Sequence, residues 1–188
     1  EGLFVRGGSA EETKIFIDGT LVNNFFYSSV PEIQQRGRFS PFLFKGLVFS
    51  TGGYSALYGQ ALSSALLLES VDLPETSSGS INVSSVGINN LSYEKLAKNK
   101  KASFGISYSY LNLTQYFKII PQNVDYFHPP VYNNIEVNFR IKLPKNGILK
   151  FYSYLNKNNV GVTYKDIDSA GLKNSFTLKN KNLYSNLS

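Results

Sequence analysis

The sequence predicts a mostly β protein in two parts: a small mixed α/β module, then long antiparallel strands. Three observations predict this. The stretch Ser50 to Ala61 carries three glycines, two tyrosines and no charge, and it lies between the apolar-rich runs Phe42–Phe49 and Ala65–Leu68. A polar run from Asp72 to Gly79 then separates two regions of different character. Beyond it, Ile135 to Leu143 hold strict period-two alternation for nine residues, the pattern of a strand with one apolar and one polar face.

Bulk properties narrow the function classes. The chain has 188 residues, room for one or two domains, and a net charge of +6 with pI about 9.3. The basic excess is scattered. Its one cluster, Lys95 to Lys101, reads as a solvated loop, and the aromatic residues are spread through strand-like segments instead of lying among the cations. A nucleic-acid partner is therefore not expected. Cysteine is absent, which excludes disulfides and cysteine metal sites. The single histidine, His128, precedes Pro129-Pro130 in what reads as a turn, so no Ser-His-Asp or Cys-His arrangement can be built. No enzyme activity, catalytic residue, metal or cofactor is expected. No run of about 20 apolar residues marks a membrane-spanning helix. With no initiator methionine and no signal peptide, the chain reads as a piece of a longer protein.

Taken in order, Leu3-Phe4-Val5 reads as a short strand that Arg6-Gly7-Gly8-Ser9 ends. Lys14 to Ile17 is a second strand. Asp18-Gly19 is a tight-turn pair, and Thr20-Leu21-Val22 is the hairpin partner. Asn23 to Pro41, with Arg36-Gly37-Arg38, is irregular. Phe42-Leu43-Phe44 and Leu47-Val48-Phe49 are strand-like, and Leu62 to Leu68 is an apolar strand ending at Glu69-Ser70. After the linker, Ile81 to Ile88 reads as one strand with a phase slip near Ser84-Ser85. Phe104, Ile106, Tyr108 and Tyr110 alternate with Ser103, Gly105, Ser107 and Ser109. On the polar face opposite Ile135 to Leu143 stand Glu136, Arg140 and Lys142. Pro144 to Gly147 reverses the chain into Ile148–Leu155, and Val160–Tyr164 and Phe176–Leu178 are further strand pieces.

The alternation fits two architectures. Half-buried strands of a soluble sandwich alternate, and so do the walls of a transmembrane β-barrel. A strand length near the 9–11 residues that cross a bilayer at a tilt, and tyrosines toward the ends of apolar stretches, favour the barrel. In that case the polar face looks into a wet lumen. An edge exposed to lipid leaves unpaired backbone groups, so the strands must close. About five candidate strands are visible, whereas a small barrel needs about eight and one that holds a separate plug about 22. This chain cannot close a barrel alone. Strands at Ile81, Ala102, Asn134 and Ile148 also put the short Pro144–Gly147 turn on the side where barrels carry long loops, unless Phe117 to Ile120 hides part of a strand.

Three motifs in order carry a resemblance: Phe4-Val5-Arg6-Gly7-Gly8, then Ile15-Phe16-Ile17-Asp18-Gly19-Thr20-Leu21-Val22-Asn23, then Ser55-Ala56-Leu57-Tyr58-Gly59. They resemble the plug domain of the TonB-dependent outer-membrane receptors. Phe39-Ser40-Pro41-Phe42, Tyr58 to Ser64 and the richness in Asn and Lys are similar to receptors of the Bacteroidetes. The resemblance implies residues 1–74 as the C-terminal part of a plug (α+β, mostly β). It implies residues 75–188 as the first antiparallel strands of a transmembrane β-barrel of about 22 strands. It further implies a Gram-negative outer-membrane location, import of a ligand and lipid around the barrel. The implied partners are the remainder of its own barrel, an inner-membrane energy-transducing complex engaged through an upstream segment, and a surface lipoprotein.

The implied plug residues are Arg6, Gly7, Gly8, Asp18, Gly19, Tyr58 and Gly59, with structural or gating roles. The glycines serve tight reversals against neighbouring backbone, Asp18 accepts N–H bonds in its turn, and Arg6 seeks a carboxylate. Plain turn chemistry accounts for the same residues. The family's R-I-E-V stretch would put an arginine at Gly46 and a glutamate at Val48, so the plug latch departs from the pattern, with Lys45 only adjacent. Two other readings stay open: a structural or accessory barrel subunit without transport, and a soluble β-rich binding module. Asn82-Val83-Ser84, Asn90-Leu91-Ser92 and Asn112-Leu113-Thr114 match glycosylation sequons, which arise by chance in an Asn-rich chain.

Overall fold

A computed structural model of the chain describes residues 3–23, 25–26, 37–40, 43–165 and 173–188. Arg36, Pro41 and Phe42 of the sequence reading lie outside the described residues. The chain forms two compact units, Glu1–Asp72 with Ser188, and Leu73–Leu187. Both are built on β-sheets.

The first unit contains β1 (Thr13–Ile17), β2 (Thr20–Leu21), β3 (Phe44–Ser50) and β4 (Ser64–Ser70), in the sheet order β2-β1-β4-β3. β1 is central, and Ile15, Phe16 and Ile17 are buried on both of its faces. Asp18 and Gly19 take φ of 47° and 80°, the two positive values that a two-residue hairpin turn requires. β1 then runs parallel to β4, from Thr13 opposite Ser64 to Ile17 opposite Leu68. The core gathers Phe16, Ala61 and Ala65, with Leu21, Tyr54, Tyr58 and Leu67 packed on it. β3 pairs antiparallel to β4 as one strand, and its register shifts between Phe44 and Gly46.

One expectation fails in this unit. Leu3 to Val5 is not a strand. The chain turns there instead: the Gly8 N–H donates to the Val5 carbonyl at 2.9 Å, and Arg6 and Gly7 take φ of 50° and 75°. No α-helix lies among the described residues of the unit. Its glycine-punctuated stretch forms only a 3-10 turn, Ala56–Tyr58, too short to nucleate an α-helix.

The second unit is a meander of β5 (Ser78–Ser84), β6 (Gly87–Leu96), β7 (Ala102–Asn112), β8 (Asp125–Lys142), β9 (Ile148–Lys165) and β10 (Lys173–Leu187). Each strand pairs antiparallel with the next, in the order β10-β9-β8-β7-β6-β5. Among the described residues β5 and β10 are open edges. A helix of one and a half turns, α1 (Thr114–Ile119), precedes β8.

Here the structure corrects the strand reading. Ile81 to Ile88 is not one strand with a slip. Ser85 and Val86 form a two-residue link between β5 and β6, and Ser84 pairs with Gly87. Gly87 has φ 142°, and a Cβ there would stand 2.2 Å from the Tyr110 carbonyl oxygen, so only glycine fits. Val160–Tyr164 and Phe176–Leu178 are not separate pieces but parts of β9 and β10. Phe117 to Ile120 is no strand, because α1 occupies it; the Phe117 N–H donates to the Leu113 carbonyl at 2.9 Å. His128-Pro129-Pro130 is no turn. It lies within β8 at two register shifts, where prolines that lack an N–H interrupt the ladder.

The extra strand changes which turns share an end of the sheet. In an all-antiparallel meander, connections alternate between ends. Residues 97–101 and 143–147 therefore share one end, and residues 85–86 and 113–124 share the other. The added strand moves the short Pro144–Gly147 turn to the end where the chain enters β5 and the long connection with α1 to the other end, where the two-residue 85–86 link now also lies.

Candidate functional site

The second unit is inverted relative to an ordinary soluble sheet. Successive side chains point to opposite faces, and directly paired residues share a face. One row crosses all six strands in register: Ile81, Leu91, Tyr108, Ile135, Leu155 and Leu183. The next row on this face is Ile106, Val137, Ser153 and Ser185, and beyond it runs Phe104, Phe139, Phe151 and Leu187. This apolar face is the exposed one: Ile81 is 69%, Ile135 41% and Leu183 73% exposed.

The opposite face is mixed and much of it is buried: Tyr152, Tyr154, Val160 and Val162 are buried there beside a set of polar groups. Arg140 is 3% and Asn156 0% exposed, with Ser103, Asn158 and Asn186 also buried. Its groups bond across strands. The Asn134 amide donates to Ser109 Oγ at 3.0 Å, Asn156 Nδ2 donates to Asn134 Oδ1, and Asn182 Nδ2 reaches Asn156 Oδ1 at 3.5 Å. These contacts form a polar line from β7 to β10. Nearby, Arg140 of β8 forms an ion pair with Glu94 of β6.

That ion pair spans β7, which puts Gly105 and Ser103 between the partners. Gly105 makes room for Asn138: a Cβ there would come 2.4 Å from the Asn138 amide nitrogen. Glu136, on the same face, stands in register opposite Ser107 of β7 and Tyr154 of β9. Among the described residues Ser103 Oγ, Asn138 Oδ1 and Asn158 Oδ1 are buried without a protein partner. Such atoms cost about 1–3 kcal/mol each in a dry setting and much less where water reaches them.

Glu136 and Arg140 were legible as polar-face residues from the alternation. Glu94 was not, because β6 had not been separated from β5. Gly87 was the available sign of that turn. The asparagine line has no sequence signature, since only register brings Asn134, Asn156 and Asn182 side by side.

The first unit disperses the motif residues. Arg6 is exposed, and its guanidinium donates to the Thr51 carbonyl at 3.2 Å, so no carboxylate receives it among the described residues. Gly7 and Gly19 do take left-handed φ, yet their Cβ positions face open space and not neighbouring backbone. Gly8 is the tightly packed one, with Glu12 and Ser63 atoms 2.7 and 2.9 Å from where its Cβ would be. Gly59 has an ordinary φ of −61° and caps the 3-10 turn. Asp18 bonds beyond its own turn: its carboxylate accepts from the Ser70 N–H at 2.9 Å and from Ser70 Oγ at 2.5 Å, which ties the hairpin to the end of β4. The Tyr58 ring packs edge-on against Phe16 at 4.8 Å, while Leu57 is exposed.

At the β3 bulge, Lys45 pairs with Asp72 at 2.7 Å and Glu69 at 2.9 Å. Hydrogen bonds to Asp72 first, then to Glu69, push its pKa up to about 12. Among the described residues no helix is long and apolar enough to cross a membrane.

Comparison of the chain with protein-family models, curated proteins and solved structures returns no match.

Proposed function

We propose that the chain joins the C-terminal part of a plug to the first wall strands of a Gram-negative outer-membrane β-barrel that imports a ligand. One observation carries this reading: a six-stranded meander whose exposed face is mostly apolar in register and whose other face buries Arg140 and a line of asparagines. In water that arrangement exposes the wrong side. In a bilayer it satisfies both solvents, with Ile135 and its row toward acyl chains and Asn156, Glu136 and Arg140 toward a wet lumen.

Further features support the reading. The open edges β5 and β10 need partners, which the remainder of the barrel would supply. Strands β8 and β9 are long enough to cross at a tilt and extend beyond the bilayer. If the chain enters β5 from the periplasmic side, residues 97–101 and 143–147 are periplasmic turns, and residues 85–86 and 113–124 lie at the cell surface.

An accessory barrel that no longer transports is the second reading. Gly46 and Val48 favour it, standing where the family has an arginine and a glutamate, as does the exposed Arg6 held by a carbonyl.

Fractionation of cells expressing the full-length protein tests the membrane reading. It should partition with the outer membrane and migrate faster on gels before boiling than after. Recovery as a soluble monomer with the same mobility in both states would refute it. Arg6→Ala separates transport from the accessory role, since lost ligand uptake with retained surface display is the transport outcome.

A further inference from the structure

The outward face changes character at one end of the sheet. Two residues beyond Leu155 comes Lys157, about 7 Å along the strand. It stands directly opposite Lys181, and the next outward residue of β10, Lys179, is opposite Asn159. All three lysines are exposed and form no ion pair among the described residues. By register the described carboxylate nearest on this face is Asp125, opposite Thr163, about 20 Å along the strand from Lys157 and about 13 Å from the level of Lys179. Like charges placed directly opposite each other destabilise a sheet, so within the protein alone the Lys157–Lys181 pair is unfavourable. An anion between them reverses the sign. Asn133, opposite Lys157, and Asn159 add neutral polar groups to the same patch.

We propose that Lys157, Lys179 and Lys181 hold the phosphate of a lipid headgroup. The inference rests on the lipid-facing reading of the apolar row. A lipid whose chains lie against Leu155, Ile135 and Leu183 brings its headgroup to the level of Lys157 and Lys181, because they follow directly on the same face. This is the end of the sheet that carries the long connection of residues 113–124. Lysine ammonium groups suit this ligand, being compact point charges on flexible stems that reach a phosphate without fixed geometry. Basic residues beside an apolar segment attract anionic headgroups additively and lose that attraction in salt.

The test uses the full-length protein in neutral detergent micelles, titrated with a bis-phosphorylated glycolipid and with its dephosphorylated form. Wild type should prefer the phosphorylated lipid by tens of fold, with the preference shrinking as salt rises. The triple variant Lys157→Gln, Lys179→Gln, Lys181→Gln should lose the preference, and the corresponding Lys→Arg triple should keep it. Lys98→Gln, Lys100→Gln, Lys101→Gln changes net charge equally at the opposite end and should retain it. Heat-modifiable gel mobility verifies that each variant folds. Equal loss in both glutamine triples would overturn the proposal in favour of bulk charge, and displacement by inorganic phosphate at equal concentration would overturn it in favour of a free anion. Micelle insertion without any phosphate preference sinks this inference alone. Failure to insert sinks the lipid-facing reading with it.

Discussion

The two units bury different mixtures of residue. In the first, Ile17 and Ala65 are 1% and 0% exposed, and the buried set is mostly aliphatic and aromatic. In the second, Tyr154 and Asn156 are equally buried, while Ile81 and Leu183 are outside. Both units use the same device, strands with alternating faces. What differs is the solvent each face is built for. Apolar burial stabilises a fold in water by removing surface from it, at about 25 cal/mol per Å2. A sheet that leaves its apolar side outside forgoes that gain unless something other than water covers it. The contrast therefore teaches more about environment than about strand formation.

The largest effect expected sharpens the first half of the contrast. Ile17→Asp puts a carboxylate into a fully buried aliphatic site and should cost about 4 kcal/mol or more, unfolding the first unit. Loss of protease resistance in residues 3–72 would report it. On the other unit, Ile135→Arg should cost about 2–4 kcal/mol in a bilayer and close to nothing in water. Denaturant titration in lipid vesicles measures it, and a stability unchanged in vesicles would break the comparison.

Arg140→Met comes next. It strands the Glu94 carboxylate on the polar face and should cost about 2 kcal/mol, less than a fully buried pair because Glu94 is partly exposed. Adding Glu94→Gln should recover part of that loss in a double-mutant cycle. The smallest effect is at Lys45. Its folded pKa is raised from 10.5 to about 12, so its bridge contributes fully below pH 10.5 and is lost as pH rises toward 12. Wild type and Lys45→Gln should thus converge in unfolding midpoint across that window. The gap between them at neutral pH should be small, since the pair is solvent-exposed.

Much of this was legible locally. The Asp18-Gly19 hairpin, the β1 and β4 strands, the strict alternation of Ile135 to Leu143 and the Pro144–Gly147 turn all follow from short-range rules. These are positive φ at a tight turn, apolar runs, and period two. Legibility fell off where a residue's role depended on a distant neighbour. Gly87, which opens β6, must be glycine because the Tyr110 carbonyl oxygen lies 2.2 Å from where its Cβ would be, and Tyr110 is more than twenty positions away. Prolines 129 and 130 signal a turn locally, yet flanking pairs to β9 hold them within a strand. The run Leu3 to Val5 is apolar enough for a strand but has no ladder to join.

By itself, the sequence determined that the chain is β-rich, that it changes character after residue 72, and that its later strands have one apolar and one polar face. Tertiary structure decided how many strands there are, which turns share an end, which Asn and Lys residues meet, and which face is left outside. The reason is physical. Alternation is a property of one strand and is written in its residues, whereas register and burial belong to pairs of strands and exist only once the sheet has formed.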